Sequence, residues 1–253
     1  MEIRRDLYLD KLIRKKHNGL IKVITGVRRC GKSYLLNTLF YRHLLESGTD
    51  ADHIIRFAFD SADDLFLIEE NLIQIQKEKR GVDPEKFTKY IQSKMTDDGM
   101  YYLLLDEIQM LDCFEAVLNG YLRKQNTDVF VTGSNAKLLS KEIATEFAGR
   151  GDEIPMYPLS FSEFMSVYPN DRYMGLTEYM LYGGIPQVVL QEEPADKALL
   201  LQSLFNEIYI RDITKRNRIR NTSELDDLLN ILSSAIGSLT NPEKLKNTFR
   251  TLT

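Results

Sequence analysis

Leu20-Ile21-Lys22-Val23-Ile24-Thr25 runs directly into Gly26-Val27-Arg28-Arg29-Cys30-Gly31-Lys32-Ser33, and the apolar positions Leu35, Leu36, Leu39, Phe40 and Leu44 follow at helical spacing. A short β-branched run, a turn bounded by two glycines and an amphipathic stretch thus stand in the order strand, loop, helix. The middle segment fits G-x-x-x-x-G-K-[ST], a pattern that carries meaning only in that context. Glycines let successive backbone N–H groups curl around phosphate oxygens, and the helix N-terminus adds partial positive charge. In such a loop Lys32 reaches the β- and γ-phosphates and the Ser33 hydroxyl binds Mg²⁺. Residues Gly26, Val27, Arg28, Arg29, Cys30, Gly31, Lys32, Ser33 and Tyr34 are therefore expected to line a bound nucleotide. Arg28 or Arg29 is a second phosphate ligand, unless both point outward. Cys30 is a small residue suited to a tight loop; the alternative is a thiol activated by the helix N-terminus.

A second segment, Tyr101-Tyr102-Leu103-Leu104-Leu105-Asp106-Glu107, is the most apolar strand of the chain and ends in two carboxylates. At the carboxyl edge of a parallel sheet such a strand end meets the ligand. Asp106 is expected to hold Mg²⁺, directly or through water, and Glu107 to orient or deprotonate the attacking water. The simpler alternative is an acidic pair that merely opens a loop. Thr132-Gly133-Ser134-Asn135 follows another strand. Ser134 or Asn135 could bond the water or the γ-phosphate, or could cap the next helix. Arg150, after Gly149, could reach a neighbouring chain's γ-phosphate as an arginine finger, which would require a homo-oligomer; otherwise it is a surface residue. Asp60, ending a strand over 53–59, could support the metal shell.

Around these segments strands alternate with helices as far as residue 158, which predicts parallel crossovers and a sheet covered on both faces. Helices are expected over 4–16, 32–47, 65–79, 84–95, 113–124 and 138–147, and a fifth strand over 154–157. After Pro158 only helical patterns remain, broken once at Gly183-Gly184-Ile185-Pro186. The predicted organisation is an α/β phosphate-loop core over 1–158, a helical lid over 159–220 and the start of a winged helix over 221–253. Lys215, Arg216, Arg218 and Arg220 could touch a nucleic-acid backbone, or could simply form a solvated helix end. With 33 basic and 37 acidic side chains, net charge −4, the whole chain has no cationic character that would announce nucleic acid. No apolar run approaches the ~18 residues of a membrane span, so no membrane contact is expected. Cys30 and Cys113 are too few for a disulfide framework and suit reduced thiols in a cytoplasm.

The phosphate loop, Leu-Leu-Leu-Asp-Glu-Ile-Gln (103–109), Thr-Gly-Ser-Asn (132–135), Ala-Gly-Arg (148–150), Pro-Leu-Ser-Phe-Ser-Glu-Phe (158–164) and Tyr-Gly-Gly-Ile-Pro (182–186) occur in one order. Together they resemble the bacterial and archaeal AAA+-type ATP-binding proteins in which an ATPase core precedes a C-terminal domain of unknown function. The resemblance implies a five-stranded parallel core in which a sensor strand separates the acidic strand from the phosphate-loop strand. It further implies a helical lid, a winged-helix segment and a nuclease-like fold beyond it. Ser134 or Asn135 falls on the sensor position and Arg150 on the arginine-finger-like position. Asn135 stands where a second Ser is frequent, which divides the sensor role between two residues.

The expected activity is Mg²⁺-dependent ATP hydrolysis by a molecular switch. The alternative is a DNA- or partner-binding regulator in which ATP sets conformation with little turnover. GTP is disfavoured because no Asn-Lys-x-Asp segment occurs, and a small-molecule kinase would not need a water-activating Glu107.

Overall fold

Five strands form one parallel sheet, the first four of them rich in apolar and β-branched residues. They are β1 (Ile21–Thr25), β2 (Ile54–Ala58), β3 (Tyr101–Asp106), β4 (Thr127–Thr132) and β5 (Gly151–Pro155), arranged in the order β2-β3-β4-β1-β5. Every residue of β1 and β3 is buried, as strands covered on both faces must be. The computed structural model of the chain describes residues 2–133, 149–206 and 222–235, with Thr214, Asn241 and Glu243 standing alone. The expected helix over 138–147 and the basic run over 215–220 lie outside the described residues, as does most of the expected winged-helix start.

Alternation along the strands sorts the core into two layers. Leu103 and Leu105 of β3 join Val23, Phe57, Val129 and Val131 against Phe87, Ile91 and Leu118 on one face. Leu104 joins Ile24, Phe130 and Ile154 against Leu12, Leu35, Leu36 and Phe40 on the other. β4 separates β1 from β3, the strand order that the resemblance implies. Because all pairings are parallel, β1 and β3 end at the same carboxyl edge. β1 there enters the glycine-bounded loop, and β3 ends on Asp106 beside Glu107.

The helix after the loop is α-helical over Lys32–Tyr34, π-helical over Leu35–Phe40 and α-helical over Tyr41–Glu46. Such a local widening is a recurrent feature near functional sites. The single helix predicted over 65–79 is two, Ala62–Leu67 and Leu72–Glu78. Asn71 divides them: its side chain accepts from the N–H groups of Ile73 and Gln74, restarting the helix as an N-cap. The fifth strand begins at Gly151 and not at Ile154, because its pairing with β1 starts at Ile21↔Gly151. Periodicity does not reveal that a Gly-Asp-Glu stretch is needed to satisfy the edge of β1.

The chain divides into two compact units, Met1–Glu192 and Glu193–Thr253. The first contains the sheet and the helices Phe161–Met165, Arg172–Tyr182 and Pro186–Val189. The second contains the helices Pro194–Ser203 and Thr222–Ser234.

Candidate functional site

The loop after β1 has the backbone its glycines permit. Gly26 has φ +146°, and a Cβ there would stand 2.1 Å from the Met156 carbonyl oxygen, so no side chain fits. Gly31 has φ +101°, a left-handed value that glycine adopts without penalty. Cys30 is fully buried beneath the loop, with its thiol on the Met156 carbonyl at 3.6 Å. Burial pushes this thiol up, outweighing the opposing pull of Lys32 and Arg5. Full burial and a raised thiol fit Cys30 as a small packing residue of the tight loop and not as an activated thiol.

Lys32 is buried, and its ammonium donates to the carbonyls of Gly26 at 3.1 Å and Val27 at 2.9 Å. It thus lies across the mouth of the loop. Val27, Arg28, Ser33 and Tyr34 are all exposed. Arg29 points out of the loop, donating to Gln187 Oε1 at 2.7 Å.

Asp106 is 5% exposed and densely held. The Thr132 hydroxyl donates to Oδ1, and Asn37 Nδ2 donates to Oδ2 at 3.2 Å. Burial pushes the Asp106 carboxyl above its ordinary range; bonds from Thr132 and Ser33 oppose this, and the charge on Glu107 adds to it. Glu107 has a left-handed backbone, φ 53°, and its N–H donates to Thr132 Oγ1 at 3.1 Å. Its carboxylate accepts from the Gln109 amide. Asp60 lies close enough that its carboxyl is raised, first by partial burial and then by the charges of Asp106 and Glu107.

A divalent cation fits this donor set. A hydroxyl and a carboxylate side by side are oxygen ligands of the kind that Mg²⁺ takes alongside phosphate oxygens and water. Among the described residues no group of three His, Cys, Asp or Glu side chains could hold a metal by itself.

The fold brings Lys32, Ser33, Asp106 and Glu107 to one edge. It does not bring Arg150 there. Arg150 precedes β5 at the amino edge, where its carbonyl accepts from Ile21 N–H and its guanidinium donates to Asn119 Oδ1 at 3.2 Å. Five strand residues at ~3.3 Å each place it roughly 16 Å from the loop of its own chain. Ser134 and Asn135 lie outside the described residues. Three residues that the motif analysis did not select belong to the surroundings of the site: Thr132, Asn37 and Arg5. Asn37 had a legible signal, since it falls one helical turn after Ser33 on the same face. Thr132 is the last residue of its strand, where a β-branched hydroxyl reads equally well as an ordinary strand end. Arg5 gave none.

A parallel 2-3-4-1-5 sheet with a glycine loop after β1 and paired carboxylates after β3 defines a phosphate-loop nucleotide-binding fold of the AAA+ type. The chain belongs to the AAA domain family, which matches residues 18–165. A domain of unknown function matches residues 174–252. An uncharacterized protein of Haemophilus influenzae is 38% identical over 97% of this chain and 59% of its own length. An uncharacterized protein of Methanocaldococcus jannaschii is 30% identical over 97% of this chain and 52% of its own. The chain thus spans little more than half the length of these relatives. The Walker-type ATPase of Pyrococcus abyssi shares the fold with a TM-score of 0.57 and 16% identity, over 99% of this chain and 89% of that one. Among the described residues no helix is long and apolar enough to cross a membrane.

Proposed function

We propose that this chain binds Mg·ATP in the loop 26–33 and hydrolyses it as a cytoplasmic molecular switch. The observation that carries the reading is the convergence of Lys32, Ser33, Asp106 and Glu107 at one sheet edge, with Thr132 bonded to both carboxylate-bearing residues. Loop N–H groups and the Lys32 ammonium would take the phosphates, Lys32 exchanging carbonyl oxygens for phosphate oxygens. Ser33 and Asp106 would hold Mg²⁺. The bound ion supplies neutralisation of charge on the phosphate oxygens. Glu107, turned by its left-handed backbone and anchored through its N–H to Thr132, would orient the attacking water and accept its proton. Ser134 or Asn135, following β4, would contact the γ-phosphate or the water. Arg150 lies at the far edge from its own chain's loop, so an arginine-finger role for it would fall in a neighbouring chain's site. The segments after β5 would serve as lid and effector.

Steady ATP turnover by the purified chain, measured with and without DNA, tests the activity. Glu107→Gln should bind Mg·ATP as wild type does and hydrolyse it roughly 10²–10⁴-fold more slowly. Lys32→Ala should lose binding in calorimetry while keeping its melting temperature. Wild-type affinity in Lys32→Ala would sink the site assignment. Wild-type turnover in Glu107→Gln would give the water to another residue.

A further inference from the structure

The segment that precedes the helix Asp6–Arg14 carries a guanidinium almost wholly removed from solvent. Arg5 is 2% exposed. Its Nη2 donates to the Tyr157 carbonyl at 2.6 Å, and its Nε faces Glu163 Oε1 at 3.0 Å in an ion pair whose N–H is not aimed at the oxygen. The Tyr8 ring packs 4.7 Å from the guanidinium carbon. A buried arginine needs its charge and its donors met, and these contacts go far toward meeting them. The remaining contact is of another kind: Nη1 donates to the carbonyl of Cys30 at 3.2 Å, inside the glycine loop.

That bond fixes a peptide plane. In a trans peptide the C=O and N–H point in opposite directions, and no peptide of the described chain is cis. Gly31, with φ +101°, has the backbone freedom that would let this plane rotate unless its carbonyl were held. With the Cys30 carbonyl drawn toward Arg5, the Gly31 N–H faces the other way. We propose that Arg5 is a positioning residue for nucleotide binding. It holds the Cys30–Gly31 peptide so that the Gly31 N–H meets a phosphate, and through Glu163 it ties that orientation to the helix Phe161–Met165 after β5. Arg5 does not itself contact phosphate, because its guanidinium is buried and turned to the Cys30 and Tyr157 carbonyls. The inference rests on the nucleotide-binding reading above.

Calorimetric titration with Mg·ATP and Mg·ADP tests it, using wild type, Arg5→Lys, Tyr8→Phe and Glu163→Gln, with melting temperatures recorded without nucleotide. Lysine keeps the buried charge but cannot hold two carbonyls and a carboxylate in one planar fork. Arg5→Lys should bind both nucleotides roughly ten- to a hundredfold more weakly, and by the same factor, since the β-phosphate is common to both. Tyr8→Phe removes the hydroxyl that accepts from Tyr157 N–H at 3.1 Å, loosening the same wall without touching Cys30. It should bind as wild type does, whereas a purely structural role of Arg5 would make the two variants lose affinity in step with melting temperature. Glu163→Gln keeps the neighbouring helix cap and removes the counter-charge; it should weaken both nucleotides severalfold. Wild-type affinity in a folded Arg5→Lys overturns the proposal. If Arg5→Lys does not fold, unchanged affinity in Glu163→Gln overturns it. A wild-type chain that binds neither nucleotide overturns the parent reading, and this proposal with it.

Discussion

Asp106 shows how a residue suited to a ligand can work against the stability of its own chain. Burial raises its carboxyl, so the ionised form is less favourable in the folded protein than in the unfolded one. The sign follows from linkage. The penalty is absent below the unfolded pKa, grows as pH rises toward the raised folded value, and is complete above it. At neutral pH Asp106 therefore subtracts stability. Asp106→Asn removes the charge and still offers an oxygen to Thr132. Opposite the new amide, Asn37 can turn over, since its Oδ1 is buried and has no hydrogen-bond partner among the described residues. The variant should melt at or above the wild-type temperature near pH 7 while losing Mg²⁺-dependent ATP binding. Scanning calorimetry and a Mg²⁺ titration check the two halves, and a clear fall in melting temperature would contradict the first. This part of the site was only half legible in the chain. Asp106 and Glu107 announce themselves at a strand end, but Thr132 and Asn37 become their partners only when β4 and the helix after the loop lie alongside.

Among the elements, β1 and β4 are joined by more than their ladder. Lys22, fully buried in β1, donates to Asp128 of β4 and to the Leu20 carbonyl at 2.8 Å, with the Phe130 ring 4.6 Å from its ammonium. Burial lowers the Lys22 pKa and Asp128 opposes that shift. Removing the carboxylate by Asp128→Ala takes the bonded counter-charge from a buried cation and should cost about 3–5 kcal/mol in urea unfolding. Lys22 would then titrate lower still. A depressed lysine is unfavourable below its folded pKa and neutral in both states above its unfolded one. The deficit of Asp128→Ala should therefore shrink as pH rises into the alkaline range. A deficit that stays constant with pH would mean that lost packing, and not the stranded charge, dominates. A strand pattern foretells burial of β1, yet nothing in Leu-Ile-Lys-Val-Ile says which strand will supply the counter-ion.

For the molecule as a whole, the separation of Arg150 from its own chain's loop decides what it can do. A side chain at the amino edge of β5 cannot serve a site at the carboxyl edge of β1, so a kinetic role for Arg150 requires a second copy. Arg150→Ala should then bind ATP normally and lose on the order of 10³–10⁵ in rate, the effect of removing such a finger where one acts. Wild-type activity per chain should rise with protein concentration. Mixing Arg150→Ala with Glu107→Gln, each nearly inactive alone, should restore partial turnover, because some shared sites pair an intact Arg150 with an intact Glu107. Full turnover in Arg150→Ala, or no recovery on mixing, leaves it the surface partner of Asn119.

The strand-loop-helix around Gly26–Ser33, the carboxylates closing β3 and the alternation that makes the sheet parallel are properties of neighbouring residues. Backbone permissiveness, periodicity and capping act over a few positions, so the amino-acid sequence by itself determined them. Helix boundaries depart from the apolar pattern where a single cap such as Asn71 overrides it. The contacts of Arg5 with Cys30, Tyr157 and Glu163, of Lys22 with Asp128, and of Thr132 with Asp106 join residues far apart in the chain. So does the assignment of Arg150 to the opposite edge. Those were decided only by the tertiary structure, because crossover direction and strand order, not chain spacing, set which side chains share a buried volume.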